Sequence, residues 1–414
     1  MNKIQLSLAA LLVGGSMVSA NEVPVISAGG TKISMYGFAQ LNAVYEDGVS
    51  GGDAGVPGAY HWTEIVAPNA EDGEGRFRFN INQTRIGFNL SGPQKEGAPE
   101  VSGRFETDFA DGVAYNRNAV GTFRIRHAFG QVKFKDLGTT LLMGQSSDLI
   151  APLSAPTLNQ GGLRRQGSIG TRRPQIRLTQ ALGPVEAAVA VTDDQGANNP
   201  VMPGFQGALK GKLPAFWAGE KKNVELTLSG HYASEENAAN TKAELDAKKA
   251  DGWGTPASWS GVASLALPVI DIVDLSGEVF YGQNLNRYNN GSIGRSGRAT
   301  GFTGDEGIQS LGGWGAATVK LPANLSFAGG MGLEAIDENR ELKSRPATES
   351  SAAVNNPNKN MVVFANLKYN IASTAFVGFE YANLTTDFAD KTDGTKVDSG
   401  SLNRFELVFN YAFR

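Results

Sequence analysis

The chain contains no cysteine among its 414 residues. That excludes a disulfide framework and every thiolate-based metal site or nucleophile. It has three histidines, His61, His127 and His231, scattered with no metal-ligand spacing. No GxSxG elbow and no GxxxxGK[ST] loop occurs. The motifs give no catalytic site, metal or cofactor. Runs of about 18 apolar residues, which a membrane-spanning helix needs, are also missing; only the extreme N-terminus comes near. Net charge is only -4, which argues against a nucleic-acid partner.

Glycine is in excess instead, with 52 residues against an average near 7%. Aromatic residues are well represented by 21 Phe, 10 Tyr and 5 Trp, too many for a long charged disordered chain. Residues 1–20 have the layout of a secretory signal: Lys3, a short apolar core at Ile4–Val13, and small residues Val18-Ser19-Ala20 at the cleavage site. Asn21 then begins the mature chain, and 21–414 is expected to be one domain. Only about ten residues separate Asn21 from the first expected strand, too few for a globular plug.

Beyond the signal the pattern has period two, the mark of strands with two different faces. Val224, Leu226, Leu228 and Tyr232 alternate with Glu225, Thr227, Ser229 and His231. About sixteen such segments are expected, near 32–45, 77–90, 100–109, 123–135, 138–145, 173–182, 184–193, 204–213, 223–233, 257–267, 274–284, 308–321, 323–334, 361–370, 374–386 and 403–413. The phase slips near Asn82–Thr84 and Gly130–Val132, where bulges are expected. Connections alternate between tight (Gly183-Pro184, Pro322-Ala323) and long and polar (46–76, 145–172, 234–256, 285–307, 335–360). The segment 240–249 has the composition of a solvated surface helix. An even strand count with alternating short and long connections predicts an all-β fold: a 16-stranded antiparallel transmembrane β-barrel with short periplasmic turns and long external loops. Its modest hydrophobicity follows, because only every second residue must face lipid.

In the last strand Phe405, Phe409, Tyr411 and Phe413 share one face, as in a lipid-facing strand ending in an interfacial aromatic girdle. It is similar to the terminal signal by which the outer-membrane barrel assembly machinery recognises its clients, although Arg414 follows the final Phe.

Several stretches together carry a family likeness: Met35-Tyr36-Gly37-Phe38, Thr84-Arg85-Ile86-Gly87-Phe88, GRFETDF at 103–109, FRIRHAF at 123–129, Arg173-Pro174-Gln175-Ile176-Arg177, GEVFYGQNL at 277–285 and Asn403–Phe413. In these, over essentially the mature chain, the protein resembles the trimeric porins of the Gram-negative outer membrane, most closely DcaP-like channels. The resemblance implies a water-filled barrel in the cell outer membrane and a homotrimer. It also implies a third external loop, here 146–172, folded inside as a constriction, and passage of small anionic solutes such as dicarboxylates.

Charge is distributed unevenly. Residues 77–177 hold fourteen Lys/Arg against seven Asp/Glu. Strand phase turns Arg78, Arg85, Arg104, Arg124, Arg126 and Arg177 toward the lumen, and the inserted loop adds Arg164, Arg165 and Arg172 against Asp148. Glu106 and Asp108 are the acids expected on the same wall. Rings of charge at a constriction set selectivity, so an anion-preferring diffusion channel is expected. Two alternatives stay open: an unselective porin in which these arginines merely pair with Glu106 and Asp108, or a structural or adhesive barrel with a blocked lumen. The partners expected are outer-membrane lipid and small anionic or neutral solutes.

Overall fold

The structure is a computed structural model. It describes residues 23–48, 65–111, 122–159, 161–193, 202–219, 222–234, 257–285, 288, 308–336, 356–391 and 393–413. The expected signal, the segment 240–249 and Arg414 lie outside these residues.

Strands β1 (Val23–Ala28) and β2 (Thr31–Glu46) form a hairpin at the start. They are followed by β3 (Arg76–Asn80), β4 (Arg85–Ser91), β5 (Glu100–Asp111), β6 (Thr122–Phe134), β7 (Thr139–Ser147), β8 (Arg172–Leu182) and β9 (Val185–Thr192). Then come β10 (Gly204–Pro214), β11 (Asn223–Ala233), β12 (Ser258–Ile270), β13 (Val273–Gln283) and β14 (Gln309–Lys320). The last four are β15 (Leu325–Ile336), β16 (Pro357–Ala372), β17 (Ala375–Phe388) and β18 (Gly400–Phe413). Each pairs antiparallel with its neighbours, and β18 returns to β2, closing the sheet. Since β3 and β4 pair with successive halves of β2, they are one barrel strand broken at residues 81–84. With β1 outside the count, the barrel has sixteen strands, as expected. The short strand β1 was not expected; it pairs with β2 at Thr31–Met35, just beyond the stretch that β18 covers.

The alternation sorts side chains by solvent. Outward positions are apolar and exposed, among them Leu209, Leu228, Val279, Phe405, Phe409 and Tyr411. Inward positions are polar: Gln40, Asn42, Glu46, Gln206, Thr227 and Asn366 are all buried within the barrel. A soluble protein keeps its core apolar and its surface polar, so this inversion marks a barrel with an apolar exterior and a polar interior. Among the described residues no helix is long and apolar enough to cross a membrane, which says nothing against a barrel.

One expected bulge is displaced. The break at 81–84 is present, but the slip in β6 is at Arg126, not at Gly130–Val132. Glu106 pairs with His127 and Thr107 with Ile125, leaving Arg126 as the extra residue. From Ala128 onward the outward positions are even-numbered; before the bulge they are Phe123 and Ile125.

The connection 148–171 folds inside and lies along one wall, as expected of the third loop. Ile150 and Ile169 pack with Ala233, Val262 and Phe280, while Ala155 and Leu163 pack with Trp314, Val362, Phe364 and Leu384. Glycines let it lie flush. A Cβ on Gly332 would overlap the Gln166 carbonyl, and one on Gly378 would sit 2.6 Å from Leu158 Cδ1. The end of the first long connection covers the same side. Val66 and Ala70 pack on Leu402, and Ile65 packs with Ile308, Ile336 and Phe388.

Candidate functional site: an arginine wall opposite the inserted loop

Register builds the site row by row. Arg85, Asp108 and Arg124 are direct neighbours across β4, β5 and β6, so all three project inward at one height. One row nearer the short turns, Tyr36, Gly87, Glu106 and His127 are aligned across β2, β4, β5 and β6. The bulge aims Arg126 into the gap between the rows, a usual role for a bulge. Its guanidinium donates to Glu106 at 2.6 Å and to Asp108 at 2.9 Å. Arg124 holds Asp108 bidentately, at 2.9 and 2.7 Å. Arg85 reaches Glu106 at 3.5 Å and lies over the Phe38 ring.

Gly87 has a local reason. The Tyr36 ring crosses it to donate its hydroxyl to Glu106 at 2.8 Å, and a Cβ there would overlap the ring. Gly87→Val is expected to displace Tyr36 and destabilise the barrel by about 1–3 kcal/mol, the usual size of overpacking. Thermal unfolding of the two proteins measures it; an unchanged midpoint contradicts this role for Gly87.

Arg104 donates to Asn89 at 3.0 Å and sits over the Tyr36 ring at 5.4 Å. Arg172, at the start of β8, lies in the field of Arg126, Arg124 and Arg85 and in that of the Asp108 carboxylate. No carboxylate among the described residues pairs with it. The group thus holds four guanidinium ions, on Arg85, Arg124, Arg126 and Arg172, against the buried carboxylates of Glu106 and Asp108.

The other sequence candidates sit elsewhere. Arg78 points inward on β3, opposite Val44. Arg177 donates to Gln175 at 2.9 Å and to the Ser147 carbonyl. Arg164 and Arg165 belong to the inserted loop, where the Arg165 carbonyl accepts from Asn360 at 2.7 Å. Asp148 is buried at the root of the loop. It pairs with Arg173 at 2.7 Å and accepts from Gln206 and from the Thr171 N–H. It therefore anchors the loop.

Three anchoring features escape sequence reasoning. Glu380 accepts from the Leu158 N–H at 2.6 Å, from Asn159 at 2.8 Å and from Asn366 at 3.0 Å, and so holds the loop tip. Arg173 stacks over Tyr288 at 3.8 Å, and Tyr288 stacks on His231 at 3.6 Å. Glu278 receives the Ile169 N–H. Acids of the β13–β17 wall are thus engaged with the loop. On the other side Gln83, in the break before β4, donates to the Leu158 carbonyl at 3.4 Å. Among the described residues no group of His, Asp and Glu is arranged to hold a metal ion.

No protein-family model matches the sequence, and no curated protein matches it either. Solved structures do share the fold. The outer membrane channel DcaP of Acinetobacter baumannii is 18% identical, with 94% of this chain and 99% of that chain covered, at a TM-score of 0.67. An anion-selective porin from Comamonas acidovorans is 11% identical, with 92% and 100% covered, at 0.58. OmpT, an outer membrane protein of Vibrio cholerae in its trimer form, is 11% identical, with 93% and 100% covered, at 0.52. At these identities the likeness establishes the barrel fold.

Proposed function

We propose that the chain is a Gram-negative outer-membrane porin: a water-filled channel for passive diffusion of small hydrophilic solutes, with a preference for anions such as dicarboxylates. The observation that carries the reading is the segregation of charge across the lumen. Inward acids on the β13–β17 side engage the inserted loop, and the opposite wall presents four guanidinium ions to two carboxylates. Guanidinium stays charged and holds carboxylates bidentately, which suits it to a carboxylate-passing filter. The apolar exterior supports residence in lipid, and the shared fold with DcaP and the Comamonas porin supports channel function rather than enzymatic function. Export with cleavage after Ala20, recognition of the C-terminal strand by the assembly machinery and a homotrimer belong to the same reading. The trimer is supported by the fold shared with trimeric OmpT.

A second reading, an unselective porin, has one observation in its favour: Arg85, Arg124 and Arg126 are all ion-paired. Liposome swelling separates the two. The purified protein is expected to admit succinate faster than a neutral solute of similar size. Equal rates favour the unselective channel, and no swelling rejects both.

A further inference from the structure

A second set of cations lies nearer the short turns than the Arg85 row, with Arg104 between them on β5. Where strands meet the short turns, six inward positions are lysine: Lys32 on β2, Lys133 on β6, Lys210 and Lys212 on β10, Lys320 on β14 and Lys368 on β16. Their inward direction follows from parity with buried neighbours on the same strands, such as Ser34, Gln206, Trp314 and Asn366. Arginine dominates the middle of the lumen, and lysine this end of it.

Part of the set is neutralised. Lys210 and Lys212 share Glu225, at 2.7 and 3.5 Å, and Glu186 faces Lys210 across the β9–β10 ladder. Lys133 faces Glu100 across β5–β6, although Glu100 pairs at 2.5 Å with Lys135 in the turn. These acids all lie on the arc from β5 to β11. On β13 the inward Asp274, diagonal to Lys320, is held by Lys222 at 2.8 Å. The arc beyond it differs. From β14 through β18 to β2, the five residues of each strand nearest the short turns contain no Asp or Glu, nor do the turns at 321–324 and 373–374. That arc carries Lys320, Lys368 and Lys32, and no carboxylate among the described residues pairs with any of them. Lys368 lies over the inward Phe376 ring at 5.4 Å.

We propose that Lys320, Lys368 and Lys32 form a second anion-collecting station at the short-turn mouth of the channel, separate from the arginine wall. The proposal rests on the reading of the chain as a diffusion channel. Chemically the two stations differ. An ammonium is a compact, strongly hydrated point charge that attracts anions without holding them bidentately. It suits small hydrated anions in transit, whose local concentration an unbalanced lining raises. Along β2 the two stations are six residues apart, from Lys32 to Phe38 opposite Arg85, or about 20 Å at the rise of a strand. That exceeds the roughly 10 Å Debye length of 0.1 M salt but not the roughly 30 Å of 0.01 M salt. The lysine station therefore acts on conductance at low salt and fades at high salt.

The test compares the full-length wild-type protein with K32Q/K320Q/K368Q in planar bilayers over a range of KCl concentrations. Conductance of the triple variant is expected to fall about twofold at 10 mM KCl, where the field is poorly screened, and to match wild type at 1 M. The lysine-to-arginine triple is expected to stay at the wild-type value throughout, and the exposed single variant K320Q to show a smaller loss of the same sign. Wild-type conductance of the glutamine triple at 10 mM, or an equal proportional loss at both salt concentrations, overturns the proposal. Reversal potential in the same membranes reports on the arginine wall. A cation-biased wild type would reject the proposed filter without bearing on the salt-dependent comparison.

Discussion

Replacing Arg124 and Arg126 together by glutamine is expected to bring the reversal potential in a tenfold KCl gradient from the anion side to near zero. The ideal anion limit in that gradient is about 59 mV. The double variant leaves Arg85 and Arg172 against Glu106 and Asp108, so the wall loses its positive excess. It also strips two buried carboxylates of their closest partners, and breaking a buried pair on one side costs roughly 3–5 kcal/mol. The decisive comparison is therefore R124Q/R126Q/E106Q/D108N. That variant removes both charge types, leaves Arg85 and Arg172 as the excess, and is expected to recover anion bias. Arg172→Gln alone is expected to move the potential part of the way, because it removes the guanidinium that has no carboxylate partner among the described residues. If the double and quadruple variants give the same potential as wild type, these residues are not the filter.

Glu380→Ala is expected to raise single-channel conductance and let larger neutral sugars pass. At its tip the inserted loop donates twice, from Leu158 and Asn159, to the Glu380 carboxylate, which also accepts from Asn366; beside it Asn366 donates to the Pro156 carbonyl and Gln83 to the Leu158 carbonyl. Hydrogen bonds to a charged group contribute about 1.5–3 kcal/mol each, and donors left unmatched inside the barrel add a desolvation cost. The root of the loop stays fixed by Asp148 and Arg173, so the tip is the part that moves. Glu380→Gln keeps a carbonyl acceptor and is expected to fall between wild type and alanine. Conductance and sugar cut-off equal to wild type in the alanine variant would show that the tip does not narrow the lumen.

Much of this architecture was legible because a barrel wall with two solvents writes itself into the sequence as a period of two. All sixteen segments fall on strands, and the break at 81–84 is where the phase slips. The second bulge was misplaced for a physical reason. Phe123 and Ile125 face outward before Arg126, but the next outward residues are Ala128 and Gly130, too small and weakly apolar to register the change of phase; it becomes visible only at Val132 and Phe134. At the first residues of β8, phase alone did not single out Arg173 as the one that ties down the loop. The loop anchors were not legible at all. Glu380 meets Leu158 across more than two hundred residues, and no local pattern marks Gly332 or Gly378 as the places where the loop touches the wall. Gly87 carried a readable signal once register was known: a glycine on an inward face between a tyrosine and a glutamate.

The most direct test of the proposed function is the reversal potential of the purified wild-type protein in a planar bilayer with a KCl gradient. The arginine wall predicts steady conductance with a potential on the anion side. A potential on the cation side, or no conductance, contradicts it.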